Sequence, residues 1–256
     1  MKIASWNVNS LNVRLPHVLA WCDAAAPDIL ALQETKLTDD RFPAEPLLEA
    51  GYHSVFSGQK TYNGVAILSR EPACDVVTDI PGLDDPQRRI LAATIGDVRL
   101  VNLYVVNGSE VGSKKFDYKL DWLAKVTDWL AGEVEAHSNL VVVGDFNIAP
   151  DDRDVYDPEA WREKILCSTP EREALGRILD LGLEDTFRLF EQDESVFSWW
   201  DYRMNMFRRK LGLRIDLELA SAALARRCTA SYIDIEPRRP ERPSDHAPAI
   251  AEFGPA

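Results

Sequence analysis

A chain of 256 residues with 46% hydrophobic and 28% charged side chains can bury a large core, which excludes a disordered polymer. Its formal net charge of −13 argues against tight non-specific binding to polyanions, although a site answers to local rather than total charge. No apolar run approaches the roughly 20 residues of a membrane span, and MKIASWNVN turns polar at Asn7, so no membrane partner and no secretory signal are expected.

The first strand is KIASWNV, apolar and alternating. A helix follows over residues 15–25, with Val18, Leu19 and Cys22 on one face, and Ala-Pro-Asp ends it. Asp28 then leads into a buried strand, ILALQE. Further strands are predicted at 52–57, 64–69, 74–78, 89–95 and 98–105, close enough in sequence to form one antiparallel meander. Phe116, Leu120, Leu123, Leu130 and Val134 recur at helical spacing. LVVVGDF is continuously apolar, as a strand covered on both faces must be. Thr169 as cap and Pro170 as first helical residue open another helix, and Gly182 closes it. RIDLELAS, SYIDIEP and APAIAEF supply the last strands.

Helices and strands interleave without a composition break or long linker, which points to one α/β domain over residues 1–256. The economical architecture is two packed sheets with helices outside. Loops at 107–113, 150–159 and 204–212 are candidate substrate contacts. Nothing precedes the first strand, so no appended regulatory segment is expected. The four cysteines (Cys22, Cys74, Cys167, Cys228) are scattered without a C-x-x-C pair, and read as reduced thiols of a cytoplasmic protein.

The informative pattern is a set of polar residues at the ends of apolar strands, where they cost stability unless paired or bound. Asn7 interrupts ASWNVN, and Glu34 follows four apolar residues in ILALQETK. Tyr104 and Asn107 close LVNLYVVNG; Asp145 and Asn147 emerge from LVVVGDFN. Asp216 lies inside GLRIDLELAS, on the face that alternation gives to Arg214. Asp245 and His246 precede the last strand in RPSDHAPAI. Each has a plainer explanation alone: Asn7 a cap, Glu34 the start of a solvated loop, Tyr104 a core residue with its hydroxyl at the rim. Asp145 and Asn147 could enter a turn, Asp216 could face solvent, and a lone histidine is more often structural than catalytic. Together they offer carboxylates, carboxamides, a phenol and one imidazole. That oxygen-rich set selects Mg²⁺, Mn²⁺ or Ca²⁺ over zinc and suits phosphodiester hydrolysis.

Positive charge is local. Residues 203–214 hold five basic side chains and no acid, with smaller groups at Arg238, Arg239 and Arg242 and at Lys114, Lys115 and Lys119.

SWNVNS, LQETK, GVAILSR, QRRI, VNLYVVNG, GDFNIAP, FSWWDYR, GLRIDLELAS and SDHAP follow one another from Lys2 to Phe253. In that order they resemble the exonuclease III family of bacterial abasic-site endonucleases, part of the wider endonuclease/exonuclease/phosphatase group. The resemblance implies a four-layer αββα sandwich, in which two mixed, mainly antiparallel sheets pack face to face with helices outside. It implies Glu34 as principal Mg²⁺ ligand (Mn²⁺ a possible substitute), with Asn9 nearby and Asp245 as a further ligand. Asp145 would orient or deprotonate the attacking water. Asn7, Asn107 and Asn147 would hold phosphate oxygens, and Tyr104 would present its phenol to the same phosphate. Asp216 would fix the tautomer and charge of His246, which would donate to a phosphate oxygen. Trp199, Leu213 and Ile215 match an apolar pocket for a baseless sugar, and Lys114, Lys115, Arg203, Arg208 and Arg209 are the DNA-backbone candidates.

The implied reaction is in-line attack of water on the phosphorus 5′ to an abasic site in duplex DNA, leaving a 3′-hydroxyl. At a blocked 3′ end the same site would act as a 3′-to-5′ exonuclease or 3′-phosphatase, and a monomer suffices. Glu110 in VVNGSEVGSKK and the MNMFRRKLG stretch leave the balance of these activities open. Two competing readings are a relative that hydrolyses RNA or a phosphorylated small molecule, and a non-catalytic DNA-binding module. The second is weakened because none of Glu34, Asp145, Asp216 and His246 is missing.

Overall fold

The computed structural model describes residues 1–255. From the N-terminus run β1 (Lys2–Asn7), α1 (Leu11–Ala25), β2 (Ile29–Gln33), α2 (Ala44–Glu49), β3 (His53–Ser57) and β4 (Val65–Ser69). Then come β5 (Cys74–Val77), β6 (Ile90–Ile95), β7 (Val98–Tyr104), α3 (Lys114–Ala136) and β8 (Leu140–Asp145). The remainder holds α4 (Pro158–Trp161), α5 (Thr169–Leu179), β9 (Leu183–Asp185), β10 (Asp216–Ser221), α6 (Ala222–Ala225), β11 (Cys228–Ile233) and β12 (Ala249–Phe253).

The strands form two six-stranded sheets, ordered β11-β12-β1-β2-β4-β3 and β5-β6-β7-β8-β10-β9. Each contains one parallel pair, β1–β2 and β7–β8, among antiparallel neighbours. Alternation along the strands divides the apolar side chains among three layers. Ile3, Ala31, Ile67, Leu100, Val141 and Val143 meet between the sheets. Ala4, Trp6, Leu30 and Leu68 pack outward against Val18, Trp21 and Cys22 of α1. Leu103, Val142, Leu217 and Leu219 pack outward against α3 and α5. The result is the expected four-layer sandwich. It explains why LVVVGD reads as unbroken apolar sequence: every residue of β8 is buried. Each such Leu, Ile or Val contributes about 1.5–3 kcal/mol.

Three expectations change. The strands predicted as one meander are split, with β3 and β4 in the first sheet and β5, β6 and β7 in the second. β4 is flanked by β2 and β3, so β5 cannot pair with it, and the chain crosses to begin the edge of the second sheet. Helix α1 begins at Leu11, four residues before residue 15, and runs through Pro16. Pro16 and Asn12, whose carbonyl would take the missing bond, are both exposed, so water can replace it. Finally, α5 is capped by Ser168 rather than Thr169, with the Glu171 carboxylate reaching back to the Ser168 N–H at 3.1 Å. The Gly182 N–H, in the left-handed region, donates to Leu179 O and closes that helix as expected.

Candidate active site

The topology brings the strand-end residues together. β1 and β2 run parallel, as do β7 and β8, and the Asn7–Asp145 and Tyr104–Glu34 bonds across the sheets put all four strand ends at one edge of the sandwich. β10 runs antiparallel to β8, so it starts at that edge, with Asp216 directly across from Asp145. β12 runs antiparallel to β1, so the His246 segment that precedes it arrives there too.

Asn7 ties the first sheet to the second, its Nδ2 donating to Glu34 Oε1 at 2.9 Å and to Asp145 Oδ2 at 2.9 Å. The Tyr104 hydroxyl also donates to Glu34 Oε1, at 2.8 Å. Asp145 Oδ1 accepts from the Asn147 N–H at 2.9 Å, and Asn107 Nδ2 donates to Asn147 Oδ1 at 3.0 Å. His246 Nδ1 lies 2.8 Å from Asp216 Oδ2, and its Nε2 lies 3.8 Å from Asp145 Oδ2. Asn9 Nδ2 donates to Asp245 Oδ1 at 2.9 Å, and Trp199 Nε1 to Asp245 Oδ2 at 3.1 Å. Asn9, Glu34 and Asn147 all adopt positive φ (43°, 53° and 49°). For a glutamate that backbone costs on the order of 1–3 kcal/mol, and it persists because neighbouring backbone bonds (Ser10 N–H to Glu34 O, Thr35 N–H to Gly64 O) pin the turn.

Electrostatics separate the titratable groups. Burial pushes the Asp145 carboxyl up to about 7, with Asp216 adding to the rise and His246 opposing it. Burial alone would lower His246, but Asp216 and Asp145 outweigh it and raise the imidazole to about 10. The two carboxylates therefore favour the charged imidazole, while burial favours the protonated form of the Asp145 carboxyl beside it. Desolvation works against the Glu34 charge, yet Lys36 and the Asn7 amide bring its pKa below the ordinary value. Burial, then Glu34 and Asp145, hold the Tyr104 phenol well above its ordinary value, so it remains a neutral donor.

Two groups can hold a cation. The ligand atoms of Asp145, Asp216 and His246 lie within 4.8 Å of one another, though His246 Nδ1 is committed to Asp216. At the mouth, Glu34 Oε2 and Asn9 Oδ1 converge on the Lys36 ammonium at 2.8 Å and 2.6 Å. That ammonium is a stand-in cation, so this all-oxygen pair fits a hard divalent ion.

The pocket residues lie beside this cluster. Leu213 and Ile215 are fully buried with Ala149, Val155, Leu166 and Cys167, and the partly exposed Trp199 packs against them. Lys114, Lys115, Arg203, Arg208 and Arg209 are all exposed, and Arg203 is paired with Asp201. Other members of the basic clusters are not free. Lys119 is buried against Glu171, and Arg214 against Asp154 and Asp185. Arg238 is buried against Ser244 O, so none of the three belongs to a charged rim. Arg214 and Asp216 are both buried, the first on Asp154 and Asp185 and the second on Ser198 and His246, so Asp216 does not face solvent. A separate cleft of about 720 Å³, lined by residues 152–155 and 187–196, contains none of the site residues.

Three supporting residues went unassigned in the sequence. Lys36, within LQETK, holds Glu34 Oε2 and Asn9 Oδ1. Ser198, inside FSWWDYR, donates to Asp216 Oδ2 at 2.6 Å and accepts from the Ile215 and Asp216 N–H groups. Arg89, inside QRRI, donates to Tyr104 O at 3.1 Å and lies 4.5 Å over its ring. Their signal was motif membership alone.

Residues 4–246 match the Endonuclease/Exonuclease/phosphatase family. Exodeoxyribonuclease III of Haemophilus influenzae is 38% identical, over 99% of this chain and 100% of that protein. The solved structure of the 3′ phosphatase NExo from Neisseria, bound to product DNA hairpin, superposes with a TM-score of 0.98 at 53% identity, covering 99% of each chain. An AP endonuclease from Archaeoglobus fulgidus superposes with a TM-score of 0.96 at 39% identity, covering 100% of each chain. The chain belongs to the endonuclease/exonuclease/phosphatase family, and within it is a phosphodiester hydrolase of the exonuclease III/AP endonuclease type.

Proposed function

We propose that the chain, as one catalytic domain, hydrolyses phosphate esters of damaged duplex DNA. It would cleave 5′ to abasic sites and clear blocked 3′ ends as a 3′-phosphatase and 3′-to-5′ exonuclease. One observation carries this reading: Asn7, Glu34, Tyr104, Asp145, Asp216 and His246 meet in one cluster, with Asp145 Oδ2 3.8 Å from the Nε2 of an imidazole whose Nδ1 is held by Asp216. Neighbouring groups with separated pKa values mark a base and a fixed positive charge.

Asp145 takes the proton of the attacking water, at a pKa matched to neutral pH. Asn147, whose N–H is held by Asp145, and Asn107 bind non-bridging phosphate oxygens, while Asn7, expected to join them, has both amide hydrogens committed to Glu34 and Asp145 and orients those carboxylates instead. His246, kept charged and oriented by Asp216, donates through Nε2 to the phosphate as negative charge develops. Tyr104, kept neutral by burial, would turn its hydroxyl from Glu34 Oε1 to the same group when substrate binds. Mg²⁺, or Mn²⁺ in its place, held by Glu34 with Asn9 and Asp245, would neutralise charge on the phosphate and the leaving oxygen.

Trp199, partly exposed and backed by the buried Leu213 and Ile215, would pack against the deoxyribose. An abasic sugar enters at lower cost than an intact nucleotide, which must unstack and unpair for a few kcal/mol. Exposed Lys114, Lys115, Arg203, Arg208 and Arg209 contact the backbone. Likeness to a 3′ phosphatase at 53% identity weights the balance toward 3′ ends within the same chemistry. A monomer is sufficient, and no helix among the described residues is long and apolar enough to cross a membrane.

The test is a substrate panel with Mg²⁺ and then with chelator: an abasic duplex, a 3′-phosphate duplex, a recessed 3′-hydroxyl end, polyadenylate and an inositol polyphosphate. The expected result is chelator-sensitive turnover of the DNA substrates, with a nick 5′ to the abasic site. Faster turnover of polyadenylate or the inositol ester would replace DNA as the substrate.

A further inference from the structure

Lys119 lies on α3 with no exposed side-chain surface, although Lys114 and Lys115 on the same helix are exposed. An unpaired buried ammonium costs several kcal/mol, so its three hydrogens must be used. They are. Nζ donates to the backbone carbonyls of Asn147 at 2.7 Å and Asn107 at 3.2 Å, and to the carboxylate of Glu171. Two of its acceptors are thus the main chains of both asparagines assigned to the scissile phosphate, whose side chains are bonded to each other.

Glu171 extends the contact. Besides Lys119 it accepts from the Leu166 N–H at 3.1 Å and from the Ser168 N–H and hydroxyl at 3.1 and 2.6 Å. Leu166 packs in the apolar floor beside Leu213, and its carbonyl accepts from the Ala149 N–H. The loop carrying Asn147 is therefore held from both sides. Asn147 itself sits at φ 49°, in the left-handed region that asparagine adopts at low cost.

We propose that Lys119 and Glu171 form a buried clamp that fixes Asn107 and Asn147 for phosphate binding in the transition state, making Lys119 a positioning residue of the reaction. The clamp rests on the phosphodiesterase reading above. It acts through the two loops and touches no substrate. A displacement of about 1 Å in such a group costs on the order of a hundredfold in rate.

Lys119→Met alone leaves Glu171 buried and unpaired, so its stability falls. Lys119→Met/Glu171→Gln removes both charges and recovers most of the melting temperature. Single-turnover rates on a 3′-phosphate duplex with Mg²⁺ then separate the two roles. The clamp predicts that the double variant stays on the order of a hundredfold below wild type in kcat with KM nearly unchanged. Placed in an Asn107→Ala/Asn147→Ala background, the same pair should cost less than about threefold more. A double variant with recovered stability and near wild-type kcat would make the pair purely structural. An undiminished loss in the alanine background would mean that it acts elsewhere. If the double variant does not fold, Lys119→Arg substitutes: it keeps the charge but forces the carbonyls apart, and full activity there overturns the clamp. Side-chain amide NMR signals of Asn107 and Asn147 should shift in the double variant or in Lys119→Arg, whichever is used, and unmoved signals reject the clamp. Wild-type inactivity on every DNA substrate would instead sink the phosphodiesterase reading.

Discussion

Replacing Asp216 with asparagine keeps the shape of the side chain and removes its charge. Ser198, which donates to Asp216 Oδ2 at 2.6 Å, can hold the amide oxygen in the same place. His246 then loses the carboxylate 2.8 Å from its Nδ1, the larger of the two that outweigh its burial and hold it at about 10. Removing an opposite charge at such range lowers a pKa by about one to three units, or about 1.4–4 kcal/mol of support for the charged imidazole. Asp145 simultaneously loses a like charge that, after burial, is a contributor to its rise to about 7. The His246 shift therefore runs to lower pH, whereas Asp145 loses a like charge and also part of the larger, opposing imidazole charge. In wild type, kcat/KM should rise as Asp145 ionises, at or below about 7 once a cation lies nearby, and fall as His246 loses its proton near 10. In Asp216→Asn the alkaline limb should move acidward by about one to three pH units and the plateau should drop about 10²–10³-fold, as expected on weakening one transition-state donor. The assay is kcat/KM on a 3′-phosphate duplex from about pH 5 to about pH 11. A bell that keeps both limbs and its height would refute the assignment of Asp216 as the group that charges His246.

Asp145→Asn should lower kcat by about 10²–10⁴ while leaving DNA affinity in chelator unchanged, read by single-turnover cleavage and fluorescence anisotropy. Glu34→Gln should weaken Mn²⁺ binding to the DNA-free protein by on the order of tenfold or more, measured by electron paramagnetic resonance of free Mn²⁺. Gly144→Ala should destabilise the fold by about 3 kcal/mol or more in thermal melts. A Cβ there would lie 1.9 Å from Leu103 O, on a residue with φ of +148°.

The site was legible because its residues violate the pattern around them. Asn7, Glu34, Asp145 and Asp216 each end or open an apolar strand, and β pairing supplies the rest: Asp145 and Asp216 fall opposite each other in register. Which sheet a strand joins was not legible, because local alternation gives facing but not partners, and β4 to β5 crosses between sheets. β9, at three residues, was too short to show a period. Lys119 was misplaced among surface lysines although its spacing carried the signal: it lies three residues after Phe116 and four before Leu123, both on the buried face of α3. A charge on an apolar stripe marks a buried partner, here Glu171, which only the fold brings near.

Hydrolysis of an abasic duplex in ¹⁸O-labelled water with Mg²⁺, followed by mass spectrometry of both fragments, addresses the chemistry itself. Water activated by Asp145 and attacking phosphorus puts one label on the 5′-phosphate of the sugar fragment and leaves an unlabelled 3′-hydroxyl, and Asp145→Asn should form neither product at a comparable rate. An unsaturated 3′ aldehyde, or label on the 3′ oxygen, would contradict attack at phosphorus and with it the roles given to Asp145 and His246.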